Sequence, residues 1–332
     1  MDNSSLKSLL TEYENKRSLA LLKSEKNKEE LYLKNPKLQE IDDKLNHLAI
    51  STTLSLINKN DSNLLSELEK EISKLKDQKI SILKSMGKSL EDISPNFECK
   101  LCNDTGYITE NYKTVMCNCL KQKIYDIEYN KSNIQNLKNQ TFEKFNDLYY
   151  SDKIDEKKYN SDISPRENIK LIKSICKDFI NNFDNPDEKN LLFTGNTGLG
   201  KTFISSCIAN ELISKGKTVL YQTAPVMLDS IIDFRFGKNN NFNILDSILN
   251  VDLLIIDDLG TESINSMKFT ELFNIINTRL LNQKSITKTI ISTNLSLQNL
   301  FETYDERIVS RIVGNYNICY FFGDDIRFKK NL

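Results

Sequence analysis

Gly195-Asn196-Thr197-Gly198-Leu199-Gly200-Lys201-Thr202 fills every position of the phosphate-binding pattern G-x-x-x-x-G-K-[ST]. An apolar run, residues 191–194, comes before it and a helical pattern, residues 203–214, comes after, which is the strand-loop-helix setting the pattern requires. In such a loop the glycines let backbone N–H groups curl around the β- and γ-phosphates at a helix N-terminus. Lys201 neutralises those phosphates, and the Thr202 hydroxyl binds Mg²⁺. ATP and Mg²⁺ are therefore the expected cofactors of residues 195–202.

Downstream, Leu253-Leu254-Ile255-Ile256-Asp257-Asp258 is an apolar strand delivering two carboxylates at its C-terminal end, where α/β sheets bind ligands. Asp257 is expected to hold Mg²⁺ through water and Asp258 to polarise the attacking water. One further apolar run, residues 218–222, separates this strand from the phosphate loop, marking the ATPase branch whose catalytic acid follows the metal-binding Asp. Thr289-Ile290-Ile291-Ser292-Thr293-Asn294 is a third buried strand; Asn294 at its end is either a turn residue or a sensor of the γ-phosphate water. With residues 318–322, these runs alternate with helical patterns and predict an α/β domain over residues 140–332, a parallel sheet flanked by helices.

Arginine is scarce, seven among 45 basic side chains, so Arg307, Arg311 and Arg327 near the C-terminus carry more weight than lysines would. In Glu306-Arg307-Ile308-Val309-Ser310-Arg311-Ile312 one arginine can pair with Glu306, and the other can reach a neighbouring subunit's ATP as an arginine finger, which requires self-association. Residues 224–250 contain Phe234-Arg235-Phe236-Gly237-Lys238. Arg235, Phe236 and Lys238 suit stacking and phosphate neutralisation on single-stranded DNA, whereas the two phenylalanines suit equally a helical insertion packed on the core.

Toward the N-terminus the texture changes. Residues 124–139 read as a polar linker. Cys99-x-x-Cys102 and Cys117-x-Cys119, separated by a Gly-containing hairpin, place four thiolates as a tetrahedral Zn²⁺ site requires and define a module over residues 95–123. A redox dithiol or an iron–sulfur cluster are the alternatives. Residues 1–94 carry apolar side chains at three- and four-residue spacing (Leu38, Ile41, Leu45, Leu48; Leu65, Leu68, Ile72, Leu75) and predict amphipathic helices, the second starting at Pro36 and the third capped by Asp61 or Ser62.

Composition narrows the function further. The single histidine, His47, excludes Ser-His-Asp and paired-His metal chemistry. A net charge of −1 leaves any nucleic-acid site to a local patch. The absence of a long apolar run or a signal-like start points to a cytoplasmic protein without a membrane contact.

Taken together, the two nucleotide motifs, the Ser292-Thr293-Asn294 sensor and the Ser310-Arg311-Ile312 box resemble an AAA+ ATPase of the initiator and loader clade. The cysteine pairs with Asp104-Thr105-Gly106-Tyr107, Thr141-Phe142-Glu143 and Ile163-Ser164-Pro165-Arg166-Glu167-Asn168 narrow the resemblance to the DnaI/DnaC-type bacterial replicative-helicase loaders. That resemblance implies an N-terminal region that grips the hexameric replicative DNA helicase, and an ATPase domain that self-associates and binds single-stranded DNA. It also implies Arg311 as the finger acting in trans, with Arg307 its rival, Arg327 as the second sensor, and residues 224–250 as the element facing DNA. Asp258 stands where a Glu is usual, and the shorter carboxylate implies slow, switch-like turnover. The end of the chain soon after Arg327 implies no helical lid over the nucleotide. An IstB-like transposition helper, or a zinc-containing adaptor with a vestigial ATPase, are the rival readings.

Overall fold

The computed structural model describes residues 3–57, 62–129, 139–237, 244–263, 265–282 and 285–328. The chain divides into two compact units, residues 2–117 and 118–332.

In the first unit three helices, Asn3–Lys34, Pro36–Ile57 and Ser62–Ser85, follow the apolar spacing. Asp61 lies outside the described residues. Leu38, Ile41, Leu75 and Leu83 are buried, and a small core gathers Leu31, Leu38, Leu83 and Ile93. Polar ties supplement so small a core: the Ser24 hydroxyl donates to the Ile93 carbonyl at 2.8 Å, and Asp42 takes both the Lys79 ammonium at 2.5 Å and the Tyr32 hydroxyl at 2.6 Å. Beyond the helices, strands β1 (Tyr107–Glu110) and β2 (Lys113–Met116) pair antiparallel. Their turn residues Asn111 and Tyr112 are both left-handed, the backbone whose twist suits a two-residue hairpin.

The second unit is built on five strands: β3 (Asn190–Gly195), β4 (Val219–Thr223), β5 (Leu253–Leu259), β6 (Lys288–Thr293) and β7 (Tyr316–Phe321). They lie in the order β4-β5-β6-β3-β7 and all four pairings are parallel. Every residue of β3 and β6 is buried, as continuous apolar runs between two helical layers require. Two cores fill the faces, one around Leu192, Leu254 and Ile291, the other around Phe193, Tyr221 and Ile255. Cys176, Cys207 and Cys319 are buried.

The span read as a linker opens differently in the fold: a helix, Asn118–Glu128, extends through its first residues. The helix covers the sheet edge. Gln122 exchanges two hydrogen bonds with the Val219 backbone of β4, at 2.6 and 3.0 Å, and Leu120 is fully buried. An exposed strand edge is a liability, and a side-chain amide facing the free N–H and C=O satisfies both.

Beneath the sheet, Arg279 is buried with no carboxylate in a salt bridge to it among the described residues. Its guanidinium donates to the carbonyls of Ile248 at 2.7 Å, Val251 at 3.0 Å and Lys288 at 2.6 Å and to the Thr289 hydroxyl at 3.0 Å, and burial lowers its pKa to about 10. Arg279→Met, similar in reach but without donors, strands those carbonyls in the interior. A loss of roughly 3–5 kcal/mol of unfolding free energy is expected in a denaturant titration of the full chain.

Candidate functional site

The site lies at the C-terminal ends of β3, β5 and β6. After β3 the loop turns through Gly195, Gly198 and Gly200 at φ of +136°, +75° and +88°, and Gly200 is the N-cap of helix Lys201–Ser214. All three glycines answer to neighbours as well as to φ. A Cβ on Gly195 would stand 2.0 Å from the Phe321 carbonyl oxygen, one on Gly198 2.0 Å from the Asp325 carboxylate, and one on Gly200 2.6 Å from the Tyr150 hydroxyl. Tyr150 buttresses the loop from outside the motif, donating to the Leu199 carbonyl at 2.8 Å and stacking on Phe145.

Lys201 is 6% exposed. Its ammonium donates to the carbonyls of Gly195 and Asn196 at 2.6 and 2.7 Å and to Asn294 Oδ1 at 2.9 Å, while burial pushes its pKa down to about 8. Thr202 is exposed on the first helical turn.

Asp257 is buried, and both its oxygens are taken by hydroxyls: Oδ2 by Tyr221 at 2.7 Å and Oδ1 by Ser292. Oxygens so engaged suit a metal held through water better than one bound directly. Asp258 is left-handed, φ +54°, at the register shift between Ile256 and Leu259 that interrupts the pairing of β5 with β6. Its N–H donates to Ser292 Oγ at 3.2 Å. Partial burial and the neighbouring Asp257 raise the Asp258 pKa, against Lys201 and a hydrogen bond from Asn294. Asn294 thus binds Lys201 directly, and both act on the charge of Asp258. Asp258→Asn keeps shape, removes the charge and so tests the role expected of Asp258 from the sequence: hydrolysis in a phosphate-release assay is expected to fall about 10²- to 10³-fold with ATP affinity changed less than about threefold.

The arginines separate. Arg307 forks onto Asp305 with two 2.9 Å bonds and lies 5.3 Å from the Phe273 ring centre, so its partner is the helix N-cap and not Glu306. Arg311, one turn on in helix Glu306–Asn315, is exposed and its guanidinium makes no ion pair among the described residues. Arg327 forks onto Asp325. Residues of this C-terminal segment, Gly323, Asp324, Asp325 and Phe328, line one hollow with Asn196, Thr197 and Asn294. Within residues 224–250, Arg235 is paired with buried Glu271 at 3.0 Å, Phe234 packs on the core and Phe236 is 61% exposed. Lys238 lies outside the described residues.

The four sulfurs of Cys99, Cys102, Cys117 and Cys119 lie within 4.8 Å of one another, and Cys99 and Cys117 are 3.8 Å apart. Tetrahedral zinc with bonds of about 2.3 Å sets its sulfurs at about that separation. Asp104, buried, accepts the N–H groups of Glu98 and Cys99 at 2.9 and 2.8 Å and so fixes the first cysteine turn.

Residues 128–331 match the sequence family described as IstB-like ATP binding protein. The chain belongs to the IstB-like ATP-binding family. Its IstB-like unit has the parallel, helix-flanked sheet of an AAA+ domain. Among its relatives are the replicative helicase loader DnaC of Escherichia coli strain K12, 28% identical over 156 residues that cover 46% of this chain and 62% of that protein. DnaC of Buchnera aphidicola subsp. Baizongia pistaciae is 30% identical over 167 residues, 49% of this chain and 66% of that one. The chain therefore spans less than two thirds of the length of these curated relatives. The crystal structure of the DnaC helicase loader matches at 24% identity and a TM-score of 0.42, over 53% of this chain and 99% of that one. That of DnaI matches at 23% and 0.43, over 58% and 93%. The resemblance to DnaC/DnaI-type loaders drawn from the motifs thus agrees with the sequence relatives of this IstB-like chain.

Tyr150, Tyr221 and Asp325 act on the site and carry no motif. Tyr221 reads in the sequence as one more apolar strand residue, and only the pairing of β4 with β5 brings it to Asp257.

Proposed function

We propose that this chain is an ATP-dependent loader that binds the hexameric replicative DNA helicase and helps place it on single-stranded DNA at the initiation of replication, in the cytoplasm. The observation that carries the reading is the run of relatives named replicative helicase loader DnaC, which align over 156 and 167 residues of this chain. In this reading residues 195–202 hold ATP, Thr202 and Asp257 hold Mg²⁺, Asp258 and Asn294 handle the attacking water, and Arg327 senses the nucleotide. The four cysteines hold Zn²⁺. Arg311 is the finger offered to a neighbouring copy, since Arg307 is already committed to Asp305. Among the described residues no helix is long and apolar enough to cross a membrane, which agrees with partners that are helicase, DNA and other copies of the chain.

A transposition helper is the second reading, favoured by the family description itself. Native mass spectrometry of the full chain with the host's replicative helicase, with and without ATP and Mg²⁺, separates the two. A stoichiometric complex supports the loader. No complex in any condition, with DNA binding retained, overturns it in favour of the helper. A Lys201→Ala chain that still binds helicase and still activates it would instead identify an adaptor with an idle ATPase.

A further inference from the structure

The two consecutive aspartates after β7 have different partners. Asp324, which also lines the hollow beside the loop, is engaged by the Lys158 ammonium at 2.7 Å and the Tyr159 hydroxyl at 3.3 Å. Asp325 is turned onto the phosphate loop. A Cβ built on Gly198 would stand 2.0 Å from Asp325 Oδ1, and the next residue, Ile326, donates its N–H to the Gly198 carbonyl at 3.0 Å. A carboxylate therefore sits against the backbone that is read here as receiving phosphates, in the hollow it lines with Asn196, Thr197 and Asn294.

A bare carboxylate there would repel a polyphosphate, but Arg327 answers it. Its guanidinium reaches Asp325 with Nε at 3.0 and 3.1 Å and a terminal nitrogen at 2.6 Å, and its own N–H donates to Oδ1 at 2.9 Å. The fork that fits a carboxylate fits a phosphate equally well. Arg327 is also close enough to lower the Lys201 pKa, so its charge is felt at the loop.

We propose that Asp325 is a built-in competitor for Arg327. It is a positioning and specificity-determining residue against which the terminal phosphate of a nucleoside triphosphate must win the guanidinium. A diphosphate has no group to offer Arg327 and leaves the Asp325–Arg327 pair in place. The competition weakens triphosphate binding selectively and so sets how far the site favours ATP over ADP. The inference rests on the nucleotide reading of residues 195–202 and adds to it a group that opposes binding.

The test is a pair of titrations of the full chain with fluorescent ATP and ADP analogues. Asp325→Asn keeps the oxygen that accepts the Arg327 N–H and removes the charge. ATP affinity is expected to rise about tenfold and ADP affinity to change less than about twofold, a gain within the usual range of coupling between linked groups. In an Arg327→Ala background the same substitution is expected to leave the ratio of the two affinities unchanged. Asp325→Ser, which also keeps an acceptor for that N–H, carries the same expectation and is the variant to read if the asparagine chain fails to fold. An unchanged ratio in Asp325→Asn, an equal gain for both nucleotides, or a gain that survives loss of Arg327 overturns the proposal. Failure of the unmodified chain to bind either nucleotide overturns the nucleotide reading itself, an outcome distinct from these.

Discussion

Lys201→Ala is expected to lower ATP affinity by two to three orders of magnitude in calorimetric titration while leaving the chain folded. Hydrogen bonds from a charged donor contribute about 1.5–3 kcal/mol each, and an ammonium between the β- and γ-phosphates makes at least two. The fold depends on this lysine far less. Burial holds its pKa at about 8, below the ordinary 10.5, so folding works against the charged form. Between those two values the unfolded chain keeps a proton that folded Lys201 gives up. Stability therefore rises with pH across that window, and the burial cost is fully present below about pH 8. Phosphates reverse the shift. Nucleotide binding should then take up a proton above about pH 8, and ATP affinity should fall as pH is raised through that point, a fall missing in Lys201→Met. An affinity that stays flat from about pH 7 to pH 9.5 in the unmodified chain would place the phosphates away from Lys201.

The sheet and the phosphate loop were legible in the sequence because their causes are local. A glycine-rich turn between an apolar run and a helical pattern has few other solutions, and strands buried on both faces announce themselves as unbroken apolar stretches. Asp257 and Asp258 could be assigned to a strand end from position alone. What supports them could not. Tyr221 and Ser292 reach Asp257 only because β4 and β6 flank β5, and strand order is a property of the whole sheet. Pairings at short range failed for another reason. Charge alone lets either Arg307 or Arg311 pair with Glu306, but Asp305, as the N-cap, projects its carboxylate back over the first turn and takes the Arg307 guanidinium with both oxygens. The helix that runs into the span 124–139 was missed there because the residue that fastens it to the sheet, Gln122, lies upstream, in the span read as the zinc module.

Cys102→Ser or Cys117→Ser is expected to abolish zinc binding and with it the structure of the hairpin. Strands β1 and β2 are four residues each, and a two-stranded ribbon of that length is at best marginal in water. Its closure rests on single contacts such as the Cys117 N–H to the Gly106 carbonyl at 2.9 Å. A structural zinc contributes roughly 10–16 kcal/mol in small zinc peptides, far more than such contacts supply. Four sulfurs within 4.8 Å of one another also repel as thiolates unless a cation lies among them. The expected result is one zinc per chain by elemental analysis of the purified protein, none in either variant, and one still in Cys176→Ser, whose thiol is buried in the α/β core. Chelation of the unmodified chain should expose backbone amides of residues 99–117 to hydrogen exchange while those of β3 and β6 stay protected. Exchange that is unchanged by chelation would mean that the loops hold the four thiols together without metal. Zinc retained in Cys117→Ser would mean that the set of ligands is not these four.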